Sequence, residues 1–341
     1  MNPLLLIRRL ALAGVLLGLG VVVFGAYVRL TWAGLGCPDW PGCYGHFSPV
    51  GALESGAGTA DAPLHMGKAW REMIHRYAAS LLGLVILVIA LTAWLKRRHR
   101  YMPRLLPFAL LGLVLFQGML GMLTVTWLVK PLVVTLHLGF GITTVALLWW
   151  LYLSMRSVPA DGVTWKLPEA ISNTPLVTPR LARALAITSL VVLAMQVLLG
   201  GWTSTNYAAV ACPDFPTCQQ RWWPEADFQE GFVLWRGLGI NYEGGVLDHP
   251  ARVAVHFTHR LGALFTTFAV LLAAFIAWRS RLGTAVNAAA AGVVAALALQ
   301  LLIGIYMVLG GFPLGLATAH NAGAAVLVLA TSLLLWTLRK S

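Results

Sequence analysis

Charge is what this sequence has least of. Asp, Glu, Lys and Arg make up 11% of its 341 residues, whereas soluble domains carry roughly 25%. So small a share excludes an ordinary water-soluble domain. Acids are the scarcer sign, 12 against 24 Lys and Arg. No cleavable signal or transit peptide is expected either, because Arg8 and Arg9 lead straight into an apolar run too long for a signal-peptide core. Apolar residues are plentiful: 59% of the chain is hydrophobic and the mean hydropathy is +0.77. This is the composition of a polytopic membrane protein.

Runs long enough to cross a hydrocarbon layer of about 30 Å occur at about 9–31, 72–95, 104–128, 131–155, 181–204, 252–278, 284–310 and 313–338. Long polar connections follow the first span (Trp32 to Arg71) and the fifth (Thr205 to Ala251). A segment with Pro159, Pro168, Pro175 and Pro179 divides the chain. The expected organisation is therefore a four-helix bundle over 1–155, a linker over 156–180 and a second bundle over 181–341.

The net charge of +12 has two explanations, nucleic acid or topology, and the positions of the charges separate them. Fifteen of the 24 bases lie at the two termini and in the even-numbered connections, with only Asp161 and Glu169 for company. The opposite side holds nine bases and ten acids. By the positive-inside rule both termini are cytoplasmic, no basic cluster remains for nucleic acid, and a bacterial inner membrane is the expected location.

The halves repeat in their polar exceptions. Cys37-Pro38-Asp39-Trp40-Pro41-Gly42-Cys43 is answered by Cys212-Pro213-Asp214-Phe215-Pro216-Thr217-Cys218. His75-Arg76 is answered by His259-Arg260, and Gln117-x3-Gly121 followed by His137 is answered by Gln300-x3-Gly304 followed by His320. Each half has an even number of spans, so the repeat is expected to be parallel, about an axis along the membrane normal.

Ionisable groups inside spans are costly and mark function. His46, His65, His99 and His249 lie in loops and read as solvated surface, while His256 reads as a hydrogen-bonding neighbour of His259. His75, His137, His259 and His320 remain, all expected near the outer ends of their helices. Pairs of imidazoles on facing helices are a standard axial set for haem. A metal without a porphyrin, such as zinc or copper, is the weaker reading, since no nearby Cys or paired carboxylate completes a tetrahedral shell. Arg76 and Arg260, and also Arg29, Arg71 and Arg252, are placed to pair with propionates or to snorkel to headgroups. Gly14, Gly18, Gly20, Gly25, Gly139, Gly141 and Gly323 permit close approach of a macrocycle or of another helix.

One position breaks the repeat: Glu72, one turn before His75, corresponds to His256 in the second half. It reads as the mark of one reactive and one purely redox site, or as an acid capping the helix start. On an oxidising face the four cysteines are expected to form Cys37–Cys43 and Cys212–Cys218, whose short loops gain little from entropy alone. A role in placing the loop, or redox exchange with a partner, is the stronger reading.

Together, Glu72-x-x-His75-Arg76, His137, His259-Arg260, His320 and the cysteine pairs, set in eight spans, resemble the haem A synthase family over essentially the whole chain. The resemblance implies oxidation of a ring methyl of haem O to a formyl group by successive hydroxylations, with water as the final oxygen source. It implies that His259 and His320 hold a resident haem b, and that His75 and His137 hold haem O or its product haem A, with Glu72 at the reacting centre. It implies an active role for Cys37 and Cys43, and a structural one for Cys212 and Cys218. Haem O synthase, terminal-oxidase assembly factors and an electron acceptor or donor are the implied partners. From the residues alone, a quinone-linked dihaem electron-transfer protein and a parallel-repeat transporter stay open.

Overall fold

A computed structural model describes residues 2–58, 63–156 and 178–340. Among these, eight helices are long and apolar enough to cross a membrane, and no β-strand occurs. The elements in order are α1 (Pro3–Leu30), the short α2 (Pro49–Glu54), α3 (Met66–Leu95), α4 (Leu106–Thr126), α5 (Pro131–Arg156), α6 (Pro179–Thr205), the one-turn α7 (Phe228–Gly231), α8 (His249–Arg279), α9 (Thr284–Leu309) and α10 (Leu314–Lys340). The interior of the expected 156–180 linker lies outside the described residues.

Local chemistry sets where these helices start. α1, α6 and α8 each begin with a polar cap followed by proline, and the Asn2, Thr178 and Asp248 side chains accept the backbone N–H of Leu4, Leu181 and Ala251. A cap satisfies an otherwise orphaned N–H, and proline at the first turn forfeits nothing because its nitrogen would have had no partner.

Four helices start earlier than hydropathy suggests, α1 at Pro3 rather than 9, α3 at Met66 rather than 72, α6 at Pro179 rather than 181 and α8 at His249 rather than 252. The extra turns of α3 are amphipathic. Ala69 and Met73 are covered by the Cys37 and Cys43 loop, so the helix continues out of the apolar layer into a protein environment.

α1 packs on α3 and α5, with α4 against α3 and α5; α8 packs on α6 and α9, with α10 against α9 and α6. The halves meet along α1–α10, α5–α6 and α5–α10. Each half has its own apolar cluster, the first around Ile7, Ile86, Leu110 and Leu148, the second around Val270, Val293 and Leu334. Ile142 of α5 nonetheless belongs to the second cluster, so the seam between halves is packed rather than merely touching. α1 and α5 meet at Gly18, where an added Cβ would lie 2.9 Å from Val145 Cγ2.

The long connection between α6 and α8 reaches back over the first half. Tyr242, 1% exposed, donates its N–H to Leu128 O and its hydroxyl to Gly237 O. Lys130, in the turn between α4 and α5, is equally buried. Its ammonium donates to Arg236 O and Gly237 O and sits 3.4 Å from the centre of the Trp235 ring, and burial holds its pKa below the usual lysine value. Lys130→Met removes both bonds and strands two carbonyls, which costs about 1–3 kcal/mol. We expect a lower thermal unfolding midpoint in detergent; an unchanged midpoint would show that this strap is fastened elsewhere.

Candidate functional site

The histidine pairs rest on glycines. An added Cβ would lie 2.7 Å from His75 Cε1 at Gly25, 3.6 Å from His137 Cε1 at Gly121, 3.1 Å from His259 Cε1 at Gly200 and 3.0 Å from His320 Cε1 at Gly304. Each imidazole therefore lies flush against the backbone of a neighbouring helix: α1 for His75, α4 for His137, α6 for His259 and α9 for His320. This explains the Gln-x3-Gly motif, whose glycine makes room for the ring and whose glutamine holds the adjacent backbone. Gln117 Nε2 donates to His137 O at 3.0 Å and Gln300 Nε2 to His320 O at 3.1 Å.

His75 and His137 both face a cavity of about 930 Å³ enclosed by α1, α3, α4 and α5, within the range of cofactor pockets. Among the described residues Glu72 is the only acid on its wall, and Arg29 and Arg76 are its two arginines. Gly201, Ser204 and Thr205 of α6 and Asn321 of α10 complete it, so the second half supplies part of the first half's site.

Glu72 stands nearly two turns inside α3 and is 5% exposed. It therefore does not cap the helix start. One carboxylate oxygen accepts the Cys37 N–H at 2.9 Å and the other pairs with Arg76. Arg76 in turn donates to the carbonyls of Asp39, Pro41 and Gly42. Inside the loop, which the Cys37–Cys43 disulfide closes, the Asp39 carboxylate accepts the N–H groups of Tyr44 and Gly45.

The second half builds the same clamp with different chemistry. Arg260 donates to the carbonyls of Cys212, Asp214 and Thr217, and Cys212–Cys218 is a disulfide. Asp214 accepts from the N–H groups of Gln219 and Gln220. Its pKa falls below the ordinary value: burial pushes the group up, and the bonds from Thr217 and these N–H groups outweigh it. His256 takes the place of Glu72, with the Cys212 N–H and Arg260 Nε–H each 3.3 Å from one of its ring nitrogens. A carboxylate accepts both donors, whereas a neutral imidazole accepts at only one nitrogen, so the second clamp is one bond short.

The remaining expectations sort as follows. Arg29 donates to Ser204 O at 2.8 Å and lies 4.1 Å from the Tyr207 ring centre, tying α1 to α6. Arg71 and Arg252 hold nearby carbonyls, Gly67 O and Leu247 O. His65, His99 and His249 are exposed and His46 is half-buried. Two contributors lack a motif in the sequence. Gln196 lies 3.0 Å from His259 Nδ1 and donates to His259 O at 2.9 Å, yet its counterpart in the first half is Val21. Gly200 matches Gly25 at the 175-residue offset of the cysteine motifs, a signal present in the sequence.

The donor set fits haem in both halves. The His259 and His320 ring centres are 6.5 Å apart; one metal bound to a nitrogen of each ring at about 2.0–2.1 Å spaces the centres by about 6 Å. In the first half, His75 Nδ1 and His137 Nδ1 are buried without hydrogen-bond partners. Among the described residues no group of three or more His, Cys, Asp and Glu is arranged to hold a bare metal ion.

Residues 8–332 match the COX15-CtaA family, described as cytochrome oxidase assembly protein. The chain is 42% identical over 314 residues to the haem A synthase of Shewanella oneidensis, covering 91% of this chain and 89% of that protein. It is 30% identical over 341 residues to that of Rhizorhabdus wittichii, covering 93% and 88%, and 28% identical over 350 residues to that of Caulobacter vibrioides, covering 94% and 92%.

Gly25→Val tests the ring-on-glycine packing. The added carbons drive against His75, so we expect the first half to lose haem binding, read by absorption after titration, while Gly20→Val, with no atom within 4 Å of its added Cβ, leaves binding intact. Equal behaviour of the two variants would refute the packing argument.

Proposed function

The chain belongs to the COX15-CtaA family, and from that premise we propose how its two histidine pairs divide one reaction. The protein is a haem A synthase of eight membrane-spanning helices, an oxidoreductase that converts a ring methyl of haem O to the formyl group of haem A. The dihaem carrier and the transporter give way to that assignment. In our reading His75 and His137 hold haem O and then haem A, whereas His259 and His320 hold a resident haem b.

The observation that carries this division is the difference in how the rings are held. His259 and His320 have the side-chain amides of Gln196 and Gln300 packed against their rings, contacts that limit how the rings turn. His75 and His137 have no such contact at Nδ1 and open onto a large cavity with an acid on its wall. A permanently bound group suits the first arrangement; a group that must arrive and leave suits the second. When bound, haem b supplies one-electron transfer.

Glu72 is the base in this scheme. Its carboxylate is aimed by Cys37 N–H and balanced by Arg76, so it can stand ionised without being an isolated buried charge and take up a proton released at the substrate methyl. With two histidines on the substrate iron, dioxygen finds no open position, which favours withdrawal of electrons with water as the oxygen source. Arg76 and Arg260 anchor the cysteine loops and would be the guanidinium groups beside the propionates of a bound haem. Cys37–Cys43 acts by seating Glu72, and Cys212–Cys218 is structural. We place the two pairs toward the periplasmic side of a bacterial inner membrane, in two parallel four-helix bundles with cytoplasmic termini. An electron acceptor or donor, haem O synthase and terminal-oxidase assembly factors are the partners this reading calls for.

Haem extraction from cells making haem O tests the division. His259→Ala is expected to lose haem B, and His75→Ala to keep haem B but form no haem A. The reverse pattern would exchange the two sites. Glu72→Ala breaks a buried pair, a change that costs about 3–5 kcal/mol, and leaves Cys37 N–H unpaired. We expect loss of haem A with the protein still binding haem O, and Glu72→Asp to recover part of the activity. Full formyl product from Glu72→Ala would remove the acid from the mechanism.

A further inference from the structure

The substrate cavity is tightly packed toward α5 and toward the second half, while its loop-face roof is exposed at Trp40 (43%) and Phe47 (84%). Toward α5, Gly14 and Gly18 of α1 meet Leu148 and Val145, and toward the second half Gly139 and Gly201 meet Leu198, Thr135 and Leu138, all at 3.3 Å or less from an added Cβ. At the loop face Trp40, Pro41 and Phe47 line the roof, beside the strap fastened by Lys130 and Tyr242. Between α3 and α4 the packing lapses. An added Cβ at Gly118 would meet nothing within 4 Å, and at Gly83 it would meet only Val114 Cγ2 at 3.9 Å. Ser80 lines the cavity one turn nearer the loop face, opposite Gly118. Leu84 and Leu115 also line the cavity and yet are 55% and 67% exposed. The cavity wall and the bilayer-facing surface are thus the same side chains.

The repeat supplies an internal control. At the offsets that align the histidines and glutamines, Ser80, Gly83 and Gly118 correspond to Leu264, Thr267 and Leu301 in α8 and α9. Leu301 packs onto the second apolar cluster, and Leu297, the counterpart of Val114, is 4% exposed. On the α9 side the seam that is a slot in the first half is therefore filled in the second, whereas Leu264 on the α8 side is 70% exposed. The two haems assigned above differ in a matching way: haem O carries a long isoprenoid chain on its ring and haem b does not.

We propose that the slot between α3 and α4, walled by Ser80, Gly83 and Gly118, is the lateral port by which haem O enters from the bilayer and the seat of its isoprenoid chain. This rests on the assignment of His75 and His137 to the substrate. Eight residues of each helix, Ser80 to Leu87 and Gly118 to Leu111, form an apolar groove about 10 Å long at a rise of about 1.5 Å per residue. It takes the first part of the chain and leaves the remainder in lipid. Selection of haem O over haem B then resides in apolar contact along this groove, with iron ligation common to both.

The test transplants the seam. In the full chain in detergent, haem O and haem B are titrated separately and the first site is read by absorption against His75→Ala as the blank. The unaltered protein is expected to bind haem O more tightly than haem B. Gly118→Leu with Gly83→Thr is expected to weaken haem O about tenfold or more, the scale of misfit in an apolar pocket, and to leave haem B affinity unchanged. Equal loss of both haems, or undiminished preference for haem O, overturns the port. Because a filled slot could also disturb folding, the converse variant Leu264→Ser, Thr267→Gly, Leu301→Gly is measured as well: the second site is expected to gain haem O, and continued exclusion overturns the proposal. Equal first-site absorption in the unaltered protein and in His75→Ala would instead remove the ligand assignment on which the port rests.

Discussion

Inside a hydrocarbon layer a polar side chain finds partners only within the protein, and the internal organisation of this molecule follows from that scarcity. Four imidazoles, a carboxylate and several guanidinium groups lie in or at the ends of apolar helices. The carboxylate and guanidinium groups are spent on backbone: Arg76 and Arg260 on the carbonyls of the cysteine loops, Arg29 on Ser204 O, Glu72 on Cys37 N–H. Tying helix to loop satisfies both at once, since the loop's own carbonyls would otherwise need water. The disulfides then have a clear physical part, because a loop that must present several carbonyls to one guanidinium cannot be floppy. The first-half imidazoles are the exception, with Nδ1 atoms left unmatched, and an exception of that kind marks where a ligand contributes.

The two halves show what a single exchange does within such a framework. Glu72 and His256 stand at the same place, one turn before a histidine ligand and beneath a cysteine loop. A carboxylate satisfies both the loop amide and the arginine, and it brings a negative charge that the arginine balances. An imidazole satisfies one of the two donors and brings no charge. The second clamp is therefore slightly weaker and electrically different, which is tolerable at a site that holds a group and transfers electrons. It is unsuitable at a site that must also take up protons. Under the proposed port, divergence in the slot residues follows the same logic, small side chains in the first half and larger ones in the second.

Much of this was legible in the sequence, and what was hidden has identifiable causes. The eight spans, the cysteine pairings and the four histidines stand out because long apolar runs and repeated polar exceptions are one-dimensional signals. The early starts of α3 and α8 were hidden because hydropathy ends where the cover changes from lipid to protein loop, and Ala69 and Met73 are buried by a segment some 30 residues away. The arginine clamps were hidden for a related reason: a carbonyl acceptor has no letter in the sequence, so Arg76 and Arg260 suggested propionates while their loop contacts went unread. Gly25 and Gly200 share the 175-residue offset of the cysteine motifs and were in principle findable. Gln196 was not, since Val21 occupies its place in the other half and no repeat announces it.

The seam between the halves decides how independent they are. Two bundles with separate cores would work as two modules, but the substrate cavity takes part of its wall from α6 and α10, and Arg29 of α1 is anchored on the end of α6. Asn321 lines that cavity and is the chain neighbour of His320, so one peptide unit separates a wall of the first site from a ligand of the second. In the proposed division, electrons removed at one site pass through the other and need this closeness, because transfer weakens steeply with distance while each site must keep its own ligands and its own access. Sharing a helix between the two sites meets both demands: α10 turns one face to each, and the packed seam around Ile142 holds the spacing fixed as substrate arrives and product leaves. On that reading the duplication works as a fused pair, since the first half alone would lack the part of its cavity wall that α6 and α10 supply.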